Sequence, residues 1–197
     1  MLEKVEAYFM KEFSEKAGRL AIFSLFLLIP DYRVRLFFIF LLITSLLPSD
    51  MQNKKMSNLL VLPFSYSNLF WYSYIFLIAV VSVTEFIGAG LFGVNIELMS
   101  LYLLGSVIFA TAYYAIAVLS VTAGLDNFGI PLLIFMVDLI AGGVGNRLVS
   151  GGFNVRWSNP YYYISPIHQG NVFIVSAVAA GLLIVSYIML LKKGVQK

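Results

Sequence analysis

Two carboxylates, Glu85 and Asp138, stand inside long apolar stretches, and the one histidine, His168, stands at the edge of another. An ionisable group inside a membrane span costs at least ~2.5–3.5 kcal/mol on insertion scales. Each carboxylate is therefore expected to face protein or water rather than lipid. Two uses are open to them. One is a path for a substrate or a proton. The other is helix-to-helix hydrogen bonding, including an interface between two membrane subunits. Gly142, Gly143 and Gly145 lie near Asp138, and glycines let a second backbone come close, which favours a structural use there. His168 is expected to cap or solvate the start of the last span.

Other catalytic chemistry finds few residues. The chain has no cysteine, which excludes disulfides, thiolate metal sites and cysteine nucleophiles. A single histidine leaves no multi-histidine metal cluster. There is no G-x-x-x-x-G-K-[ST] stretch to cradle ATP phosphates. There is also no G-x-S-x-G; Gly105-Ser106 and His168 are the nearest hydrolase candidates and have no supporting motif. No enzyme activity, cofactor or metal is expected on this chain.

The elements that must position these groups follow from composition. Of 197 residues, 60% are hydrophobic and only 12% are charged. Soluble domains carry about 25% charged residues, and half of that cannot clothe a water-facing surface. The net charge of +3 is too small and scattered for nucleic acid. The N-terminal stretch to Arg19 is interrupted by four glutamates and does not read as a signal peptide.

Taken in order, Leu2, Val5, Phe9 and Phe13 recur at helical spacing over 2–17. Lys11–Glu15 and Glu12–Lys16 form i,i+4 pairs, so an amphipathic helix lying in the membrane interface is predicted over 1–17. Two apolar runs follow, 20–29 and 34–47, separated by Pro30, Asp31, Arg33 and Arg35. Each is shorter than the ~20 residues a crossing needs. They are either two short spans, with Arg19 and the central arginines snorkelling, or a hairpin that dips and returns. Ser49 or Asp50 then starts a polar, amphipathic segment over 49–68. Pro63 breaks it, and Ser65 or Ser67 caps the next helix. Spans are predicted at about 68–91, 98–122, 130–145 and 170–191. A tight turn containing Asp126 lies at 123–129, and a polar outer re-entrant loop at 146–168. Tyr161, Tyr162 and Tyr163 read as an interfacial anchor. Lysine and arginine counts of nine inner against four outer put both termini and the 49–68 segment in the cytoplasm.

This order resembles the membrane subunit of type-2 ABC transporters, the ABC-2 permease family, over nearly the full length. The best local match is LLVLPFSYSNLFW, residues 59–71, with leucines, Leu-Pro, serine and a passage into the third span. Tyr163 to Pro166 resembles the family's Ser-Pro before the last span. The chain departs from the family by being short in its first two spans. It also lacks the arginine- or glutamate-rich run before the leucines.

The resemblance implies an all-α, polytopic cell-membrane protein, a single domain of six transmembrane helices. An N-terminal interfacial helix, a cytoplasmic coupling helix and an outer re-entrant region complete it. It implies a permease without its own ATPase, paired with a second permease subunit and with ABC ATP-binding subunits that hold ATP and Mg. By position, residues 50–62 would dock on the ATP-binding subunit through Asp50, Lys54, Lys55, Leu59 and Leu60. Glu85 and Asp138 would be a path or an interface. The cargo would be hydrophobic or amphipathic and the direction export. Two other readings remain: the substrate-binding membrane component of a vitamin importer, and a non-transporting membrane scaffold.

Overall fold

Asp31 makes the first reversal of the chain. Its carboxylate accepts from the amides of Arg33 and Val34 at 2.9 and 3.0 Å, which satisfies two free donors of a new helix. The computed structural model describes residues 2–53, 65–147 and 159–195, and every element among them is helical.

α1 is Leu2–Leu27, with Lys16 out of helical geometry (φ −123°, ψ 16°) at a kink. The interfacial helix predicted over 2–17 and the apolar run 20–29 are thus one helix, bent where they join. The stripe read from the sequence is used for packing: Phe9 and Phe13 meet Phe76 edge-on, at 4.9 and 5.4 Å between centroids. The first half of α1 is therefore fixed to its neighbours rather than resting on a bilayer surface alone.

α2 is Tyr32–Ser45 and α3 is Leu47–Gln52. The break at Leu46 has no side-chain cap, and Pro48 occupies the first turn of α3, where a missing amide costs nothing. Ser49 and Asp50, expected to start this helix, lie inside it. α4 is Tyr66–Phe92, capped by Ser65, which accepts from the Asn68 amide. It ends at Gly93 in the left-handed conformation (φ 63°), the usual place for glycine. α5 is Ile96–Thr122, α6 Gly129–Arg147, α7 Tyr161–Ile164 and α8 Val172–Val195. Asn171, not His168, caps α8, accepting from the amides of Phe173 and Ile174.

Cross-helix contacts fix the directions. Tyr8 lies by Tyr72 and Gly88 by Leu28, so α1 and α4 run the same way. Phe26 stacks on Phe38, which makes α2 return. Tyr114 donates to the Phe70 carbonyl at 2.9 Å, which makes α5 antiparallel to α4. Ser67 and Tyr187 are hydrogen-bonded at 2.9 Å, so the last turns of α8 reach the first turns of α4. α3, the first turns of α1 and the last turns of α8 therefore share one end of the bundle.

The passes alternate, but they are unequal. Among the described residues, four stretches are long and apolar enough to cross a membrane: Tyr32–Gln52, Tyr66–Phe92, Ile96–Thr122 and Val172–Lys192. Gly129–Gly143 is shorter. Six spans were expected; four stretches among the described residues combine the length and the hydropathy of a full crossing.

α5 is the central post, packed against α2, α3, α4, α6 and α8. It buries Gly105, Ser106, Ala110, Ala112, Ala115 and Ala117, small residues that allow close helix approach. The outward faces carry Phe86, Leu133, Ile140 and Ile184, and Phe173 is 87% exposed. Large contiguous apolar surface of this kind is not water-facing; hydrocarbon is the solvent that fits it.

Gly88 marks the tightest crossing. A Cβ there would stand 2.8 Å from the Leu28 carbonyl oxygen, which is backbone and has little room to move. Gly88→Leu is expected to separate α1 from α4 and to destabilise by about 2 kcal/mol or more, in the overpacking range. Detergent-solubilised protein titrated with SDS would show it as an earlier unfolding midpoint. An unchanged midpoint would mean the helices are not held at this spacing.

The α5–α6 turn is the tight one expected around Asp126. Its carboxylate accepts from the Gly129 amide and, at 3.0 Å, from Phe128, while the Ser120 hydroxyl donates to its carbonyl. The Gly129 bond holds the Asp126 carboxyl below its ordinary range against the opposing effect of burial, with the Phe128 and Asn127 amides adding to it. A depressed carboxylate adds stability that is present above its unfolded pKa of ~3.9 and is lost as pH falls through the folded value. Protection of the Phe128 and Gly129 amides should therefore collapse on acidification below about pH 4, and Asp126→Asn should abolish that pH dependence.

Candidate functional site

The polar chemistry of the bundle is gathered in three buried nodes. At the α3 end, Asp50 is 1% exposed and lies between two lysines of α1. Lys11 Nζ is 2.8 Å from Asp50 Oδ2 and 2.9 Å from Glu12 Oε1. Lys16 Nζ is 3.1 Å from Asp50 Oδ1 and 2.8 Å from Glu12 Oε2. Glu15 closes the edge at 3.8 Å from Lys11. The two i,i+4 pairs read from the sequence are both present: Glu12–Lys16 is the inner half of a four-charge cluster with Lys11 and Asp50, and Lys11–Glu15 lies at its half-open edge. Burial alone would lower the Lys11 pKa; Glu12 and Asp50 outweigh it and hold the ammonium above its ordinary range.

This node exists because of local structure. The break at Leu46 turns α3 so that Asp50 faces α1, and the kink at Lys16 lets that side chain reach both carboxylates. Asp50 was expected on a surface offered to another protein. It is instead an internal tie. Lys54, Lys55, Leu59 and Leu60, the other residues of that expected surface, lie outside the described residues.

The second node is at the opposite end. Arg35 and Glu85 form an ion pair at 2.8 Å, with side chains 3% and 5% exposed. The guanidinium also donates to the carbonyls of Leu27 at 2.8 Å and Val81 at 3.1 Å. One side chain of α2 thus binds the end of α1 and the body of α4. Snorkelling was expected for Arg35; it points inward, whereas Arg33 is exposed. A buried guanidinium needs a charge partner and acceptors, and Glu85 with two carbonyls supplies them.

The third node is Asp138, 1% exposed, in the middle of α6. It accepts from the Tyr113 hydroxyl at 2.9 Å and from Ser165. Ser165 Oγ in turn accepts from the His168 amide at 3.1 Å. The His168 ring lies against Gly142 and reaches the Leu139 carbonyl at 3.2 Å. Asn159 donates to the Ala141 carbonyl at 2.7 Å. The segment 159–171 is therefore fastened to α6 and not free in solution. The glycines after Asp138 are there to admit His168, an occupant the sequence did not name. Within the 146–168 loop, residues 148–158 lie outside the described residues.

Gln169 completes the fastening. It sits in the left-handed region (φ 48°) and donates to the Gly105 and Pro166 carbonyls at 2.8 and 2.7 Å. Among the described residues no group of three His, Asp or Glu side chains is placed to hold a metal ion. The Ser106 hydroxyl is buried and the His168 ring is bound to a backbone carbonyl. Comparison with family models, with curated proteins and with solved structures finds no match to this chain.

Proposed function

We propose that the chain is the membrane-spanning permease subunit of an ABC transporter, moving a hydrophobic or amphipathic substrate outward with ATP hydrolysed on a separate subunit. One observation carries this reading: the four-charge tie between α3 and α1. Asp50 stands four positions before Lys54, at the head of the segment read as the coupling helix. It is bound at 2.8 and 3.1 Å to Lys11 and Lys16. Force applied to that segment is delivered to α3 and across the tie to α1 together. α2, joined to α3 through the Leu46 break, carries it to Arg35 and so to α4. The linkage is rigid because buried ion pairs tolerate little displacement once they are desolvated.

In this mechanism the partner binds and hydrolyses ATP, and this chain supplies the lever and the spans. Glu85 and Asp138 act as ties that keep α2, α4, α5 and α6 moving as bodies. The substrate meets apolar and aromatic surface. Two copies, or one copy and a related permease, would enclose the path.

The test is recovery of the tagged full chain from its native membranes in mild detergent. A stoichiometric partner bearing G-x-x-x-x-G-K-[ST] is expected, with ATPase activity in the complex. Replacement of Lys55, Leu59 and Leu60 by alanine should release that partner while the permease stays folded. Recovery with no such partner, or Lys54 and Lys55 labelled only by reagents applied outside the cell, would overturn the assignment.

A further inference from the structure

The Arg35–Glu85 pair leaves two polar atoms over. A guanidinium carries five N–H donors and a carboxylate only acceptors. One terminal nitrogen of Arg35 donates to the Leu27 carbonyl at 2.8 Å, and the other to the Val81 carbonyl at 3.1 Å. The second of these nitrogens stands 2.8 Å from Glu85 Oε2. Its hydrogens are aimed at Val81 and, at 3.5 Å, at Thr84 Oγ1. Oε2 therefore meets the charge but takes no hydrogen bond from any described residue. Arg35 Nε has no acceptor among the described residues either. Both atoms are buried, on side chains 3% and 5% exposed. A buried polar atom left unmade costs more than a made bond returns, and an ordered water is a common partner for such an atom.

A cavity of about 10 Å³ lies against this pair, walled by Arg35 and Glu85 with Tyr32, Gly88, Ala89 and Tyr102. A cavity that holds one water gives its centre roughly 10–15 Å³, so the space is that of a single molecule. The wall carries one cation and one anion, which cancel, so a neutral occupant fits. That occupant must accept from the guanidinium and donate to the carboxylate, and water does both. The aromatic part of the wall is held in place: Tyr32 stacks on Tyr102 at 5.3 Å, and Gln169 donates to the Tyr32 hydroxyl at 3.2 Å. Arginine often meets a carboxylate through two parallel N–H bonds. Here the terminal nitrogens are spent on Leu27 and Val81, so the remaining donor, Nε, reaches the carboxylate only through a third molecule.

We propose that this cavity is a binding site for one water molecule, which accepts from Arg35 Nε and donates to Glu85 Oε2. The water closes a ring with the ion pair, so that α2 is fastened to α4 by hydrogen bonds as well as by charge. A buried water with such partners is part of the fold and costly to remove. The inference goes beyond the transport reading: it rests on the packing of α1, α2 and α4 and does not need the ATP-binding partner.

The experiment is NMR of the full chain in detergent micelles, with nitrogen-15 in its arginines. Replacing Arg19, Arg33, Arg147 and Arg156 by lysine, one at a time, assigns the Arg35 Nε–H as the signal that survives all of them. Wild type should show a cross-peak from this proton to water, opposite in sign between laboratory-frame and rotating-frame spectra, which marks a bound water rather than proton exchange. Ala89→Val adds two methyl groups at the wall and should abolish the cross-peak while the Nε–H signal remains. Val94→Leu, which enlarges another residue of the same lining, is the second variant should Ala89→Val lose helicity by circular dichroism. Val185→Ala, on the exposed face of α8, should leave the cross-peak unchanged. The proposal fails if wild type shows no such cross-peak, or if the filled variants, folded, both keep it. It also fails if the Nε–H signal moves when chloride is exchanged for a bulky anion, since the occupant is then an ion.

Discussion

Replacing Arg35 by methionine is expected to destabilise the protein by about 3–5 kcal/mol, and replacing Glu85 by methionine by a similar amount. Either single change leaves one buried charge without its partner. Arg35 would also abandon the Leu27 and Val81 carbonyls that it now satisfies. The double replacement Arg35→Met with Glu85→Met removes both charges at once. It should recover most of the loss, because a desolvated ion pair repays little beyond its own burial cost. SDS titration of the four proteins in mixed micelles gives the cycle. A strong positive coupling energy is the expected result. If the single changes prove additive, the 2.8 Å contact does not hold the helices together.

The second large effect belongs to Asp50. Asp50→Ala removes one of two buried acids and leaves Lys11 and Lys16 facing Glu12 alone, with Glu15 at the edge. A cost of about 3 kcal/mol is expected for the uncompensated ammonium. Lys16→Met added to Asp50→Ala should restore part of it, since charge is again balanced. In the transport reading, the same single variant should uncouple ATP hydrolysis from substrate movement. The double variant should regain stability without regaining coupling, because the tie between α3 and α1 is then gone. Asn53, exposed less than one turn beyond Asp50 and with its side chain bonded to Ser49, provides the contrast: Asn53→Ala should move stability by no more than about 0.5 kcal/mol.

Much of the helical plan was readable without coordinates. Long apolar runs, a serine cap at Ser65 or Ser67, and the Asp126 turn follow from hydropathy and capping rules, and α4, α5, α6 and α8 begin within two positions of where those rules place them. What hydropathy could not supply was partnership. Glu85 stood out as an acid within a span, and Arg35 as a base between two short runs. Nothing local says that residues fifty positions apart meet. A signal was present: a base at the edge of an apolar run and an acid within a span, of opposite sign, lower each other's burial cost when they pair. Asp50 was misplaced for the opposite reason. Its neighbours Ser49, Gln52 and Asn53 are polar, so it looked water-facing, while the Leu46 break rotated it onto α1. The single helix α1 was hidden because charge density changes abruptly at Lys16, a boundary that the backbone crosses with a bend.

The Arg35–Glu85 pair also bears on how the chain is made. Ribosomes supply Arg35 first, and Glu85 follows fifty residues later, about 3–10 s at ordinary elongation rates. Until then the α1–α2 hairpin carries an unmatched guanidinium whose lone insertion costs ~2.5–3.5 kcal/mol. The hairpin should therefore linger beside the insertion machinery and enter the bilayer only once α4 has emerged, so that biogenesis of α1 through α4 is a single concerted event.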